Sequence, residues 1–504
     1  MAFGGLLLAS ATAAPVPART NALSLQQCFE MALKRNLDVQ IERVSSQIAR
    51  FSLAGAYGAY DPVLSIQASH EYLDTPGNFS PQKFNWDFPY TMDTDRGGAA
   101  LAGVLPFGLS YGLDAGGGRR SAVTDFNGRP EYALAFPGGI RDTNNSFAEL
   151  GLTVRQHLLK DFWVDQAREV LQVRRKQLKM SEAALRMQIL KTMLAVELSY
   201  YDLVLGRELV GVEQAAVRLK QQFLTETKRR VEVGDQPPLD MQQAEMQTET
   251  ALTALAAARE AWVSRQNTLK VLVSDNFQAW AETELAAADL PSVTPSHTQL
   301  AESFQRALKE RPDLLEARLA VERSDIMVKF RFNQLFPSLD LIGRVGSSGV
   351  EPDVNQAMNT ALRKGDPDYM YGIVLSVPLT RTTQKNDYRV SKATKEMSKL
   401  QLQRAEQGVL LEVADWVNRV ESRFSQVGST AKARVYAEAA LAAEQKKLEN
   451  GLTTSYFVLE FQEALTAARR AEVYAVADYL KAQAQLAFAE GRTLDRYHIA
   501  VEVK

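Results

Sequence analysis

The chain has 504 residues, with 58 lysines and arginines against 60 aspartates and glutamates, a net charge of −2. That balance does not favour a nucleic-acid partner, which is normally met by a basic excess or stripe. One cysteine excludes a disulfide framework and a cysteine-based metal site, and without a run of 18 apolar residues past the N-terminus a membrane can be crossed only as a β-barrel.

Residues 1–18 hold a short apolar core around Leu6-Leu7-Leu8, then small-residue cleavage options such as Ala11-Thr12-Ala13. A basic leader is missing, so the stretch reads as a truncated or mis-started secretory signal, with a disordered apolar tail as the alternative. From Leu23 to about Gly58 the spacing predicts helix with Ser24 as N-cap, and Cys28 is expected to be a small buried apolar residue. Tyr60-Asp61-Pro62 ends that helix, and alternation from Val63 to Ser69 predicts a strand. Between Asp74 and Phe147 glycine, proline, asparagine, aspartate and aromatics dominate. Two strand-like runs, Ala99–Leu105 and Leu109–Ala115, lie inside this insertion and read as an additional hairpin of unfixed placement. Phe147–Leu158 alternates again and passes into helix at about Leu159.

The helix predicted over Leu159–Val233 is roughly 110 Å long at about 1.5 Å per residue. It ends at Val233-Gly234-Asp235-Gln236-Pro237-Pro238, where Gly234 suits a left-handed helix terminus and the prolines suit the opening of the next helix. A connector over 274–297 follows. Then Phe29, Ala32, Leu33, Lys34 and Asp38 recur as Phe304, Ala307, Leu308, Lys309 and Asp313, all at one offset, and Pro62-Val63-Leu64 recurs as Pro337-Ser338-Leu339. This is an internal two-fold repeat. The second half has a shorter loop over 347–369, a returning strand at Tyr371–Leu379, and a helix from Thr382 to Asn450. A second glycine turn, Asn450-Gly451-Leu452-Thr453-Thr454, closes it. The repeats are bounded at 23–297, with the inserted loop 74–146, and 298–504, with the short C-terminal segment 491–504.

Heptad spacing runs through Met241, Ala244, Thr248, Ala251, Leu255, Ala258, Trp262, Arg265, Leu269 and Leu272, and again through Val458, Phe461, Leu465, Ala468, Glu472, Ala475, Tyr479, Ala482, Leu486 and Ala489. Sustained seams of this kind mean helix-on-helix packing with a left-handed supercoil. The charged faces, Lys228-Arg229-Arg230 and Glu444-Gln445-Lys446-Lys447, are expected to be solvated. Each half reads helix, strand, loop, strand, long helix, turn, shorter helix, giving four main membrane-length strands per chain. Four strands cannot close a barrel, and open edges are not tolerated in lipid. Several copies must therefore pool them, and a ring of three gives a 12-stranded barrel. Val63, Phe147, Ile373 and Leu375 are the expected lipid-facing residues, with Tyr57, Tyr60, Tyr72, Trp86, Phe88, Tyr369 and Tyr371 flanking the strands as an aromatic belt.

The ordered set resembles the TolC-like outer-membrane efflux proteins. Its carriers are Leu25-x-x-Cys28-Phe29-x-x-Ala32-Leu33-x-x-Asn36, its copy at Leu300–Asp313, Leu152–Leu159, the paired turns, and Ala489-Glu490-Gly491-Arg492-Thr493-Leu494. Where the family usually has proline this chain has His157; the second copy keeps Pro378. The resemblance implies a mixed α and β membrane protein: a homotrimer with a 12-stranded barrel in outer-membrane lipid and a coiled-coil α-helical barrel in the periplasm of a Gram-negative cell. It implies the exit duct of a tripartite efflux pump or one-step secretion system, docked through a periplasmic adaptor to an inner-membrane transporter, with no catalysis and no cofactor. It also implies a periplasmic constriction at Asp240 and Glu460, with Phe457 and Thr453 where the family has a carboxylate and an arginine, just past the tip glycines Gly234 and Gly451. Three carboxylates around a narrow axis repel one another and attract cations; a helix first turn and a solvated surface are the plainer readings of Asp240 and Glu460. A soluble periplasmic coiled-coil scaffold or adaptor is the alternative to the channel. Gly108-Leu109-Ser110-Tyr111-Gly112 fits a nucleophile-elbow pattern, but strand-like sequence follows it instead of helix. The four histidines, at 70, 157, 297 and 498, lack ligand spacing.

Overall fold

The computed structural model describes residues 20–77, 79–80, 85–86, 88–127, 137–234, 236–289, 293–295 and 299–499. The signal expected at 1–18 lies outside the described residues. In chain order the elements are β1 (Thr20–Leu23), α1 (Leu25–Arg35), α2 (Leu37–Ala56), β2 (Val63–Thr75), β3 (Phe79–Ser80), β4 (Asn85–Trp86), β5 (Tyr90–Val104), β6 (Leu109–Asp125), β7 (Ile140–His157), α3 (Gln166–Glu232), α4 (Pro238–Val273), α5 (Phe277–Trp280) and β8 (Glu284–Ala287). There follow α6 (Leu300–Glu310), α7 (Pro312–Asn333), β9 (Ser338–Glu351), α8 (Val354–Arg363), β10 (Asp366–Ser376), α9 (Thr382–Glu449), α10 (Ser455–Ala489) and α11 (Thr493–Arg496). The chain divides into two units, Met1–Ile48 with Lys179–Leu319 and Leu400–Lys504, and Ala49–Leu178 with Ala320–Lys399.

The first unit is helical. Ser24 caps α1 through a capping box with Gln27, which satisfies two of the orphan donors at a helix start. The single helix expected from Leu23 to Gly58 is broken at Asn36. The Asn36 Oδ1 accepts from Asp38 N at 3.0 Å and Val39 N at 3.3 Å, and its Nδ2 donates to Leu272 O at 3.1 Å. The side chain thus supplies the partners that a continuing backbone would have supplied. Cys28 is fully buried beside Phe29, Leu190, Met193, Leu269 and Ala484, and burial pushes its thiol up to about 12. A short parallel ladder pairs β1 with β8.

Both heptad seams are the buried stripes of their helices. Ala244, Thr248, Ala251, Leu255 and Leu269 are buried in α4. Val458, Leu465, Ala475, Tyr479, Ala482, Leu486 and Ala489 are buried in α10. Alanine leaves room for close backbone approach along such a seam. Ion pairs reinforce the packing: Arg470 grips Glu213 through Nε at 2.5 Å and Nη2 at 2.9 Å. Lys220, only 3% exposed, donates to Glu463 at 3.0 Å and Gln247 at 3.1 Å.

The second unit holds an antiparallel six-stranded sheet in the order β10-β9-β7-β6-β5-β2. This corrects the expected four strands per chain. The insertion contributes β5 and β6, of 15 and 17 residues, and these stand between β2 and β7 instead of beside the sheet. The strand-like runs that announced them cover only their inner ends. The outer ends carry Asp93, Asp95, Arg119 and Arg120, charged residues that mask the alternation in sequence. The loop over 347–369 contains α8, capped by Asp353, whose Ala357 and Ala361 pack on Ala148. The long helix starts at Gln166 and not at Leu159. Before it, Asp161 takes φ 64°, and the Asp165 carboxylate accepts from Arg168 N at 2.7 Å and Arg168 Nε at 2.9 Å.

Candidate functional site

Two features define the site: the paired helix turns in the first unit and the two faces of the sheet in the second. At the turns, Gly234 and Gly451 have φ of 78° and 68°, the left-handed conformation that glycine adopts without a Cβ penalty. Gly451 N donates to Leu448 O at 3.1 Å and Leu452 N to Lys447 O at 2.9 Å, a complete Schellman pair. Gly234 N donates to Val231 O at 3.1 Å. Pro238 opens α4 with Pro237 as its extended N-cap. Gln236 Nε2 donates to Ser455 Oγ at 3.0 Å, joining two turns that are 219 residues apart. Below them Ala244 of α4 packs with Val458 and Leu459 of α10 and with Phe223 and Leu441.

Asp240 is half-buried in the first turn of α4, and Glu460 is exposed on the second turn of α10. Among the described residues neither carboxylate has a side-chain hydrogen bond or an ion pair. Phe457 is exposed and its ring lies 5.6 Å from that of Tyr456, edge to face. Thr453 is engaged within its own turn: its hydroxyl donates to Glu444 Oε1 at 2.6 Å, and Lys447 reaches Glu444 Oε2 at 2.9 Å. These two donors, the Thr453 hydroxyl first, hold the Glu444 carboxyl below its ordinary value. The stretch Glu444–Lys447 is therefore not simply a solvated face; Glu444 is a nearly buried brace for the turn. Neither this brace nor the Gln236–Ser455 clasp was visible in sequence, where the only signal was a polar residue near each glycine.

The sheet has one apolar face and one polar face. A row of directly opposed residues crosses all six strands: Leu64, Leu101, Leu113, Leu152, Val345 and Tyr369. Ile66, Ala99, Ala115, Leu150, Ile373, Leu375 and Tyr371 share that face by the period of two. Helix α8 covers this face at Ala148, and elsewhere it is open to the surroundings: Ile66 is 79% and Tyr371 83% exposed. On the opposite face run Ser65, Ala100, Asp114, Gly151, Gly346 and Asp368. There Arg344 sits 3.7 Å from both Asp114 and Asp368. Gly151 and Gly346 leave the space those carboxylates occupy, since a Cβ at either would meet them within 3 Å.

Ile373 and Leu375 lie on the apolar face as expected, but Val63 and Phe147 do not. The register places both on the polar face, where Arg96 and Arg120 stack on the Phe147 ring at 5.3 and 5.4 Å. Of the aromatics expected in a belt, Tyr72, Tyr369 and Tyr371 are exposed on the apolar face, while the Tyr57 hydroxyl accepts from Arg175 at 2.9 Å. The side chain of Trp86 lies outside the described residues. Ser110 sits at the start of β6 after a tight turn at Gly108, φ 89°, so the Gly108–Gly112 pattern is a hairpin and not a strand-to-helix elbow. His157, which stands where proline was expected, makes a hydrogen bond across the sheet, Nδ1 to Asp340 Oδ1 at 2.7 Å. Among the described residues no cluster of potential metal ligands occurs, and no helix is long and apolar enough to cross a membrane.

Long helices with glycine turns and a sheet that is apolar on one face are the features by which the chain is compared with known proteins. Residues 304–492 match the family model of the outer membrane efflux protein. The chain is 24% identical over 307 residues to the outer membrane protein TolC of Vibrio cholerae, covering 59% of this chain and 67% of that one. It is 23% identical over 305 residues to the outer membrane efflux protein BepC of Brucella suis, covering 60% and 64%. The matched stretch thus spans about two thirds of the length of these relatives. The fold matches the crystal structure of the outer membrane protein VceC of Vibrio cholerae with a TM-score of 0.65 at 18% identity, over 93% of this chain and 96% of that one. Residues 304–492 thus carry the match to outer membrane efflux proteins, and the fold is shared with solved outer-membrane channels.

Proposed function

We propose that three copies of this chain form the exit duct of a tripartite efflux pump or one-step secretion system, fed by an inner-membrane transporter through a periplasmic adaptor. The row from Leu64 to Tyr369 carries the reading. A face of that kind suits contact with lipid, and among the described residues the sheet has two unpaired edges, which lipid does not tolerate. Only further strands from other copies remove those edges. A soluble scaffold would have to leave the same face in water.

The chain is a duplication in this reading, with repeats at 23–297 and 298–504, and the α3 and α9 helices, of 67 and 68 residues, each extend roughly 100 Å. Three copies pool them into a helical barrel with the Gly234 and Gly451 turns at one end. Val233, Leu239, Leu452, Tyr456 and Phe457 are large apolar groups exposed at those turns, and they suit an adaptor's apolar tip. Asp240 and Glu460, without a side-chain partner among the described residues, form the cation-attracting constriction; Phe457 adds an apolar ring and Thr453 holds its turn in shape. Fractionation tests the assignment: heat-sensitive trimers in the outer membrane are expected, and a periplasmic monomer would reject the channel.

A further inference from the structure

The sheet has two more strands per chain than the four-strand pattern of the sequence reading, and the extra pair is fitted to its neighbours on every side. The β5–β6 hairpin supplies Leu101 and Leu113 to the middle of the apolar row, between Leu64 and Leu152, so the row is unbroken only with the hairpin in place. On the polar face Asp114 of β6 reaches past Gly151 of β7 to Arg344 of β9, which also contacts Asp368 of β10. Inside the hairpin the Tyr111 ring covers its cross-strand partner Gly103, where a Cβ would lie 2.7 Å from the hydroxyl oxygen. Such cover restores the side-chain packing that glycine lacks in a strand. Gly118 has Asp95 O only 1.9 Å from the place a Cβ would take, so the two strands approach as only glycine permits.

We propose that the transmembrane wall of this protein has eighteen strands, six from each of three copies, with β5 and β6 as part of the wall. The inference rests on the exit-duct reading above. Every neighbouring pair in the sheet is antiparallel, so β2 and β10 run in opposite senses. The free edge of β10 in one copy therefore meets the free edge of β2 in the next copy antiparallel, and three copies close without a mismatched seam. Diameter grows roughly linearly with strand number, so the bore is about one and a half times that of a twelve-stranded wall. Barrels of about 16–18 strands enclose an aqueous channel. Its lining is the polar face, with Arg96, Asp114, Arg120, Glu149, Arg344 and Asp368 projecting inward. An exit of that width is too open to select cargo by size, which leaves selection to the periplasmic end.

Cryo-electron microscopy of the full-length protein in lipid nanodiscs counts the strands directly. Alongside it, two cysteine pairs at opposed register positions, Ser65→Cys with Ala100→Cys and Ala122→Cys with Thr143→Cys, test each flank of the hairpin in intact cells. Trimers with eighteen strands, and an oxidant-dependent gel shift for both pairs, are the expected result. Trimers with twelve strands, or cross-linking of one flank alone, would overturn the eighteen-stranded wall and leave the exit duct standing. A soluble monomer would remove both.

Discussion

At the residue scale the two turn glycines hold positive φ with open space around them, so a side chain there is opposed by backbone strain alone. Gly451→Val is expected to cost about 1–3 kcal/mol, read as a lowered dissociation temperature of the oligomer on heated gels. Gly428, in mid-helix with equally open surroundings, serves as the control position. Asp240→Asn combined with Glu460→Gln is expected to reduce cation preference and alter conductance in single-channel recordings; unchanged values would remove the constriction from these residues. Ser24, Cys28, Gly234, Gly451 and Pro238 were all legible from sequence, because capping, burial of a small apolar group and left-handed φ depend on residue type and immediate neighbours. Asn36, Gln236 and Glu444 were not. Each acts on a partner brought to it by folding, and nothing in the local sequence distinguishes such a residue from one that is hydrogen-bonded to water.

At the scale of elements, charge is buried where helices meet. Arg311, 6% exposed at the break between α6 and α7, binds Asp313 at 2.8 Å, Glu412 at 2.6 Å and the Ala489 carbonyl at 3.3 Å. Burial works against the Asp313 carboxylate, but the hydrogen bonds and charge of Arg311 outweigh it and hold the group below its ordinary value. Stability from this pair is therefore present above the unfolded carboxylate value of about 3.9 and lost as pH falls through the lower folded value. Arg311→Met is expected to cost about 1.5–3 kcal/mol through loss of its charged hydrogen bonds, the two partly exposed carboxylates being left to solvent, measured by chemical denaturation. Glu197 in α3 behaves oppositely. It is fully buried, and burial dominates, raising its carboxyl above the ordinary range despite hydrogen bonds from Tyr497 and Tyr201 and the nearby Arg496. The folded state then holds the proton more tightly, so stability falls as pH rises from about 4.3 through the folded value. Glu197→Gln is expected to flatten that slope in denaturation curves taken across pH. The heptad seams were readable because the period of the apolar residues is a property of the helix itself. The ion pairs between helices were not, since charged residues at solvated and buried positions look alike until the partner helix is placed.

At the scale of the whole molecule, the faces of the sheet make an asymmetric prediction. Leu113→Arg places a charge on the apolar face and is expected to cost about 2–4 kcal/mol if that face meets the bilayer interior, seen as loss of outer-membrane trimers. Ala100→Arg, on the polar face, is expected to leave trimer yield near normal. Equal effects would show that the faces are not distinguished by lipid. The amino-acid pattern alone made the architecture legible: the paired glycine turns, the long seamed helices and the strands between them. All of these rest on periodicity and on residue preferences that operate within a few positions along the chain. Tertiary structure decided the number and order of the strands and the side each residue faces. Alternation alone marks residues as sharing a face, but only register says which face a neighbouring strand matches. Phe147 read as lipid-facing because it is apolar, yet its cross-strand partner Gly118 puts it beneath Arg96 and Arg120. The hairpin of β5 and β6 was visible as two runs, but its place in the wall came from pairing with β2 and β7, contacts that no local pattern encodes.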